Sequence, residues 1–206
     1  MLNGVPARVG DKADLRQDIV MVDGKRLQER KRKVWLMLHK PRGYVTTLSD
    51  EKGRRTAAEL VADCGERVWP VGRLDMDSEG LLIFTNDGEG TNRLLHPSHE
   101  VEKEYYVSVS GDVDAALTVL AGPLELDGQI LAPAQVRILR RRLDGGELSV
   151  TIHEGKNRQV RRMCDLAGLQ VKRLRRVREG TLRLGDLPKG KWRWLSEQEI
   201  DKLTEE

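Results

Sequence analysis

Apolar and polar positions along this chain group into many short runs. Val34–His39 is a nearly unbroken apolar stretch closed by Pro41-Arg42-Gly43, the pattern of a strand buried on both faces. Val68–Val71 and Leu81–Thr85 read as two more strands, flanking a loop rich in Gly and Asp over Gly72–Gly80. Tyr105–Ser110, Gln135–Leu139, Leu148–His153, Val171–Val177, Thr181–Leu184 and Trp192–Leu195 also suit strands, and Val20 and Val22 run into a tight Asp23-Gly24 turn. Helical spacing marks Thr56–Asp63, Asn92–Leu95, Asp114–Ala121 and Asn157–Ala167, and a last helix opens with Ser196 and Glu199 in a capping box. Many strands, scattered helices and no βαβ rhythm predict an α+β fold with a mixed, mostly antiparallel sheet. Gln28–Lys33 reads as a charged linker, so two parts are expected: a β-rich piece over residues 1–30 and a main domain over 31–206. A piece of about 30 residues buries little apolar surface of its own.

Composition narrows the classes. With 206 residues, 38% of them hydrophobic, the chain can build a core, which excludes disorder as the main state. No apolar run approaches the ~18 residues of a membrane span, and the first residues lack a signal-peptide core. Cys64 and Cys164 make neither a disulfide framework nor a four-ligand zinc site, so a reducing, cytoplasmic setting is expected.

The formal charge is only +3, but it is segregated. Between Lys156 and Arg178 nine Lys or Arg face one acid, Asp165; between Lys25 and Lys33 six face Glu29; Arg140, Arg141 and Arg142 make a third run. Separated basic segments suit a polyanion, because each cation near a phosphate releases counterions. In the helix after Gly155, Arg158, Arg161, Arg162 and Asp165 share one face, and Val160, Met163, Cys164 and Ala167 the other.

The chemistry concentrates in Gly72-Arg73-Leu74-Asp75-Met76-Asp77-Ser78-Glu79-Gly80, a polar loop between two apolar strands. If its start is extended, Arg73 and Asp75 point the same way, and a carboxylate near arginines stays ionised. It could then serve as nucleophile, base or metal ligand, or simply cap a turn. Asp77, Glu79 and Asp87 read as loop and cap residues. His39, His96, His99 and His153 are scattered and suit packing or capping.

This loop, with Leu81-Leu82 after it, resembles the GRLD-x-x-S/T-x-GLL core of RNA pseudouridine synthases of the RsuA/RluB type. Four further segments resemble that family's motifs in order: Lys40-Pro41-Arg42-Gly43-Tyr44, Leu95-His96-Pro97, Lys103-Glu104-Tyr105, and Glu154 through Met163. The resemblance runs from about Val34 to Ile200 and implies the pseudouridine synthase fold, with a central cleft. It implies isomerisation of a uridine in ribosomal RNA, with Leu36–Thr47 and Val68–Asp87 closer to the large-subunit branch. It implies Asp75 as the catalytic aspartate, Tyr105 as the tyrosine against the target base, able to assist proton removal, and Arg161 as the residue paired with the aspartate. Arg73 matches an arginine that can enter the RNA stack. Lys156, Arg158, Arg162, Lys172, Arg173, Arg175 and Arg176 are the expected RNA contacts. Nothing is added or lost in the reaction, so no cofactor or metal is expected, and a monomer suffices.

The target atom lies inside a stacked base, so the nucleotide must be flipped out at a cost of a few kcal/mol. Residues Leu2 through Gly24 resemble only the β-rich half of the small αL-type RNA-binding module with which such proteins usually begin; its two helices are missing, so either the start is internal to a longer frame or the module is reduced. At Glu89-Gly90-Thr91 the family often carries an apolar residue, and a slightly altered loop is expected. Two other classes fit the residues less well: an RNA-binding or ribosome-assembly module without catalysis, and a metal-dependent nuclease built on Asp75, Asp77 and Asp87.

Overall fold

The computed structural model describes residues 1–15, 17–27, 33–96 and 101–204. The chain divides into two compact units, residues 1–33 and 34–206. In the first, strands β1 (Met21–Val22) and β2 (Lys25–Arg26) pair around Asp23 and Gly24, both at positive φ as the tight turn requires. Most of the expected linker, residues 28–32, lies outside the described residues.

The second unit is built on one mixed sheet. Its path starts with β13 (Trp192–Trp194), β3 (Trp35–Lys40) and β5 (Glu79–Thr85), continues through β11 (Gln170–Glu179) and β6 (Lys103–Ser110), and ends with β10 (Gly145–Ile152) and β9 (Gln135–Arg142). The short strands β4 (Trp69–Val71) and β12 (Leu182–Arg183) pair with β5 and β11, while β7 (Glu125–Leu126) and β8 (Gln129–Ile130) form a separate ribbon. All these pairings are antiparallel except β5 with β11, which meet only at Glu79 with Arg175 and Gly80 with Arg176. The sheet is thus two antiparallel halves joined by a short parallel seam.

Burial explains the runs seen in the sequence. Every residue of β3 and β5 is buried, and successive side chains enter two different cores. Leu36, Leu38, Leu82 and Phe84 join the main core with Val107, Leu148, Val160 and Met163. Trp35, Met37, Leu81 and Ile83 join a second core with Leu94 and Leu203. The main core takes in a 3-10 helix, Ala57–Cys64, and the helices α2 (Val113–Ala121) and α3 (Gln159–Leu166); the second takes in α1 (Gly88–Leu95) and α4 (Glu197–Thr204). Thr56 and Glu59 form a capping box at the 3-10 helix, Asp87 and Asp112 cap α1 and α2, and Ser196 and Glu199 form the expected box at α4.

Glu89-Gly90-Thr91 is not an altered loop: it lies within α1, and a Cβ on Gly90 would stand 2.3 Å from the Trp35 ring. The indole fills the space that a side chain at position 90 would need. Helix α3 begins at Gln159, later than the spacing suggested, because Arg158 is left-handed at φ 51°.

Candidate active site

The Gly72–Gly80 loop delivers the chain into β5 beside the parallel seam. Gly80 is required there: its φ is +117° and a Cβ would lie 2.2 Å from the Arg176 carbonyl oxygen. Ser78 N–H donates to the Asp75 carbonyl at 3.0 Å, closing a turn over residues 75–78. Three outside contacts fix this turn. Gly43 N–H donates to Met76 O at 2.7 Å, and the Thr46 hydroxyl donates to Leu74 O at 2.6 Å. The Lys40 ammonium, fully buried, donates to Asp75 O at 2.9 Å, Ser78 O at 2.8 Å and Pro41 O at 3.2 Å. Burial pushes the Lys40 pKa down to about 8, although Asp75, Asp77 and Glu79 favour its charge.

Asp75 faces a cleft of about 760 Å³ shared with Val45, Thr46, Arg73, Asp77 and Arg158. Its carboxylate lies 3.6 Å from Arg158 Nη1. The same guanidinium binds Asp77 through two bonds of 3.0 Å. Arg161 comes from inside: it is only 8% exposed, its Nη2 donates to Asp77 O at 2.9 Å, and its Nε lies 3.3 Å from Asp77 Oδ2. Burial opposes ionisation of Asp77, but Arg158 and Arg161 outweigh it and hold the carboxyl below its ordinary range.

Arg161, expected to pair with Asp75, has its direct ion pair with Asp77 in this structure. The direct ion-pair partner of Asp75 is Arg158, while Arg161 serves Asp77 and feels Asp75 only electrostatically. The reason lies in the backbone: the left-handed turn at Arg158 precedes α3, and position 161 falls on a buried part of the helix.

Tyr105 sits on β6 in the main core, 8% exposed. Burial pushes its phenol pKa up, against the lowering effect of the neighbouring Arg176, and Asp75 lies within electrostatic range.

Of the expected RNA contacts, Arg73 is exposed and lines the cleft with Arg158. Arg162 is engaged by Asp127 through two bonds of 2.7 Å, and Lys156 Nζ donates to Gln129 at 3.0 Å. The arginines of the helix face are thus ion-paired within the molecule rather than bare. Arg176 is not a surface residue: it is 3% exposed, its Nε donates to Leu81 O at 2.8 Å, and Glu179 lies 3.2 Å away. It is a strut of the seam. Arg173 and Arg175 stand across from Ser108 and Tyr106, on the face of the sheet opposite to Tyr105 and Arg176. Arg173 binds the buried Glu79, which Lys189 also contacts at 3.0 Å, and Arg175 lies 5.7 Å from the Tyr106 ring centre. Lys172 is exposed and donates to Gln170. None of these four lines the Asp75 cleft.

Asp87 does not join the other two carboxylates of the metal alternative. It caps α1 just after β5, whereas Asp75 precedes that seven-residue strand. At about 3.3 Å per residue the two stand roughly 20 Å apart, too far to share a cation. Among the described residues no cluster of three His, Cys, Asp or Glu suits a metal. No helix of the described residues is long and apolar enough to cross a membrane.

Sequence reasoning passed over Lys40, Thr46 and the role of Asp77. Lys40 had a signal, a lysine ending an apolar strand, but two of its three carbonyl partners, Asp75 and Ser78, come from a turn that only the fold brings near.

Comparison with known proteins adds to this geometry. A family model described as RNA pseudouridylate synthase matches residues 34–166. The chain is 42% identical over 205 residues to an uncharacterized RNA pseudouridine synthase of Aquifex aeolicus (strain VF5), covering 98% of this chain and 82% of that protein. It is 37% identical over 189 residues to the ribosomal large subunit pseudouridine synthase B of Bacillus subtilis (strain 168), covering 90% of this chain and 77% of that one. A crystal structure of a pseudouridylate synthase superimposes with a TM-score of 0.74 at 28% identity, over 98% of this chain and 87% of the other. The archaeal box H/ACA Nop10–Cbf5 complex shares the fold at a TM-score of 0.55 and 19% identity, over 75% of this chain and 50% of that one.

Proposed function

Since this chain belongs to the RNA pseudouridylate synthase family, we propose that it isomerises a uridine of large-subunit ribosomal RNA to pseudouridine, with Asp75 as the catalytic carboxylate. The observation that carries the reading is the placement of Asp75: an aspartate whose backbone is held by a buried lysine and whose carboxylate faces an arginine-rimmed cleft.

In the reaction the bond between sugar carbon 1 and uracil nitrogen 1 breaks, the base turns, and carbon 5 bonds to the same sugar carbon. The proton on carbon 5 leaves and nitrogen 1 gains one, so the atoms balance. As the first bond breaks, positive charge grows on the sugar and negative charge on the uracil. The Asp75 carboxylate serves the sugar, by attack or by electrostatic stabilisation. Arg158 beside it can serve the departing uracil. Tyr105, its pKa raised by burial, stays a neutral phenol and packs under the base rather than taking its proton unaided. Arg73, exposed at the rim, fills the space that the flipped nucleotide vacates. Lys156, Arg162 and Lys172 line the approach of the RNA backbone. A monomer is the working unit of this reading, and the reaction is set with ribosomal RNA in the cytoplasm.

Incubation with an unmodified large-subunit rRNA transcript tests the reading. Pseudouridine forms with the wild type. RNA binding without product would support a non-catalytic binding module instead.

A further inference from the structure

Beside the Asp75 cleft lies a second recess of about 400 Å³, lined by Leu48, Ala58 and Ala62 together with Ser49, Asp50 and Arg54. The last three also line the cleft, so one wall divides the two cavities. This wall is a compact loop. At its base Val45 pairs with Thr56, and at its tip the Asp50 carboxylate accepts from Arg54 N at 2.9 Å and from Arg54 Nη2 at 2.6 Å. Those Arg54 bonds hold the Asp50 carboxyl down to about 2, so the tie stays closed at neutral pH. Leu48 is 54% exposed at the edge of the recess and offers it an apolar side chain.

We propose that this recess is a subsite for the base of a nucleotide adjoining the target uridine, held against Leu48 and the face of the Arg54 guanidinium. The inference rests on the proposed function, in its choice of RNA as ligand and of a flipped uridine in the cleft. A uridine drawn into the cleft leaves its neighbour at the shared wall. That neighbour is unstacked on one side, and an apolar floor with a planar cation at its edge is what an unstacked base fits. The lining places no unengaged carboxylate in the position of Asp75, so the second recess binds and does not react. It contributes to the choice of sequence context around the modified site.

The test uses the full chain and large-subunit rRNA transcripts. Ala62 is exposed on the 3-10 helix, so Ala62→Trp fills the recess without disturbing the core. The expected result is a rise in KM for the RNA of about tenfold, with a single-turnover rate at saturating RNA within about twofold of wild type. Leu48→Ala should raise KM in the same sense by less. A photoreactive p-benzoylphenylalanine placed at Ala62 should crosslink within two nucleotides of the isomerised uridine. An unchanged KM in Ala62→Trp, or crosslinks far from that uridine, would overturn the subsite. If the wild type makes no pseudouridine, yet Ala62→Trp weakens RNA binding and the crosslink falls at one nucleotide, the catalytic reading fails and the recess stands as a base-binding site alone.

Discussion

At the residue scale, the site is organised by the groups around Asp75. Asp77 holds Arg158 by two bonds and Arg161 by its carbonyl, so it sets where the positive charge sits beside Asp75. Asp77→Asn removes the bidentate match and should lower kcat by about 10–100-fold with KM for the RNA nearly unchanged; equal losses in both would mean that Asp77 acts on binding. Lys40 poses the opposite balance. Its three bonds order the Asp75 turn, but a buried ammonium costs desolvation energy. Because its folded pKa, about 8, lies below the ordinary 10.5, the folded state binds fewer protons than the unfolded one between those values. The cost of the charge is therefore full below pH 8 and fades as pH rises to 10.5. Lys40→Met should lower kcat while leaving thermal stability at pH 7 equal or higher, and the pH 8–10.5 rise in stability should vanish in the variant. A variant that is active but unstable would contradict this division.

At the element scale, the parallel seam is the weak point of the sheet and the strong point of the site. It consists of two residue pairs, and Gly80 must lie against Arg176 for the Asp75 loop to meet β5 at all. Gly80→Ala should destabilise the main domain by roughly 2–5 kcal/mol, from the clash and the positive φ together, read as a lower urea midpoint. The sequence showed the apolar runs that became β3 and β5, and the Ser196–Glu199 box, because both signals are local. It placed Arg176 among the RNA contacts because charge along the chain does not say which face a strand turns inward. The α4 cap gives a separate check. The Arg193 guanidinium, bonded to Glu199, holds that carboxyl at about 2, well under its ordinary 4.5. Its contribution is present above pH 4.5 and lost as pH falls through 2; both partners are partly exposed, so it amounts to about 1 kcal/mol or less. Acid titration of α4 by amide exchange should show wild type and Glu199→Gln converging below pH 2.

At the scale of the whole molecule, five motifs far apart in sequence pointed to the family that the comparison shows, and the Asp75 loop was legible because its motif is contiguous. Which guanidinium lies nearest Asp75 was not legible, because the placement of positions 158 and 161 depends on one left-handed residue before α3. The two-unit organisation carries its own expectation. A chain of residues 34–206, which contains both cores, should fold and isomerise bound RNA at an unchanged single-turnover rate, with RNA affinity reduced. A slower chemical step at saturating RNA would show that the first unit shapes the site. The most direct measurement remains pseudouridine formation by Asp75→Asn, an isosteric change that keeps the Lys40 contacts because they go to backbone oxygen. The expected result is no detectable product from large-subunit rRNA, with RNA affinity within about twofold of wild type. Turnover near the wild-type rate would contradict the assignment of Asp75.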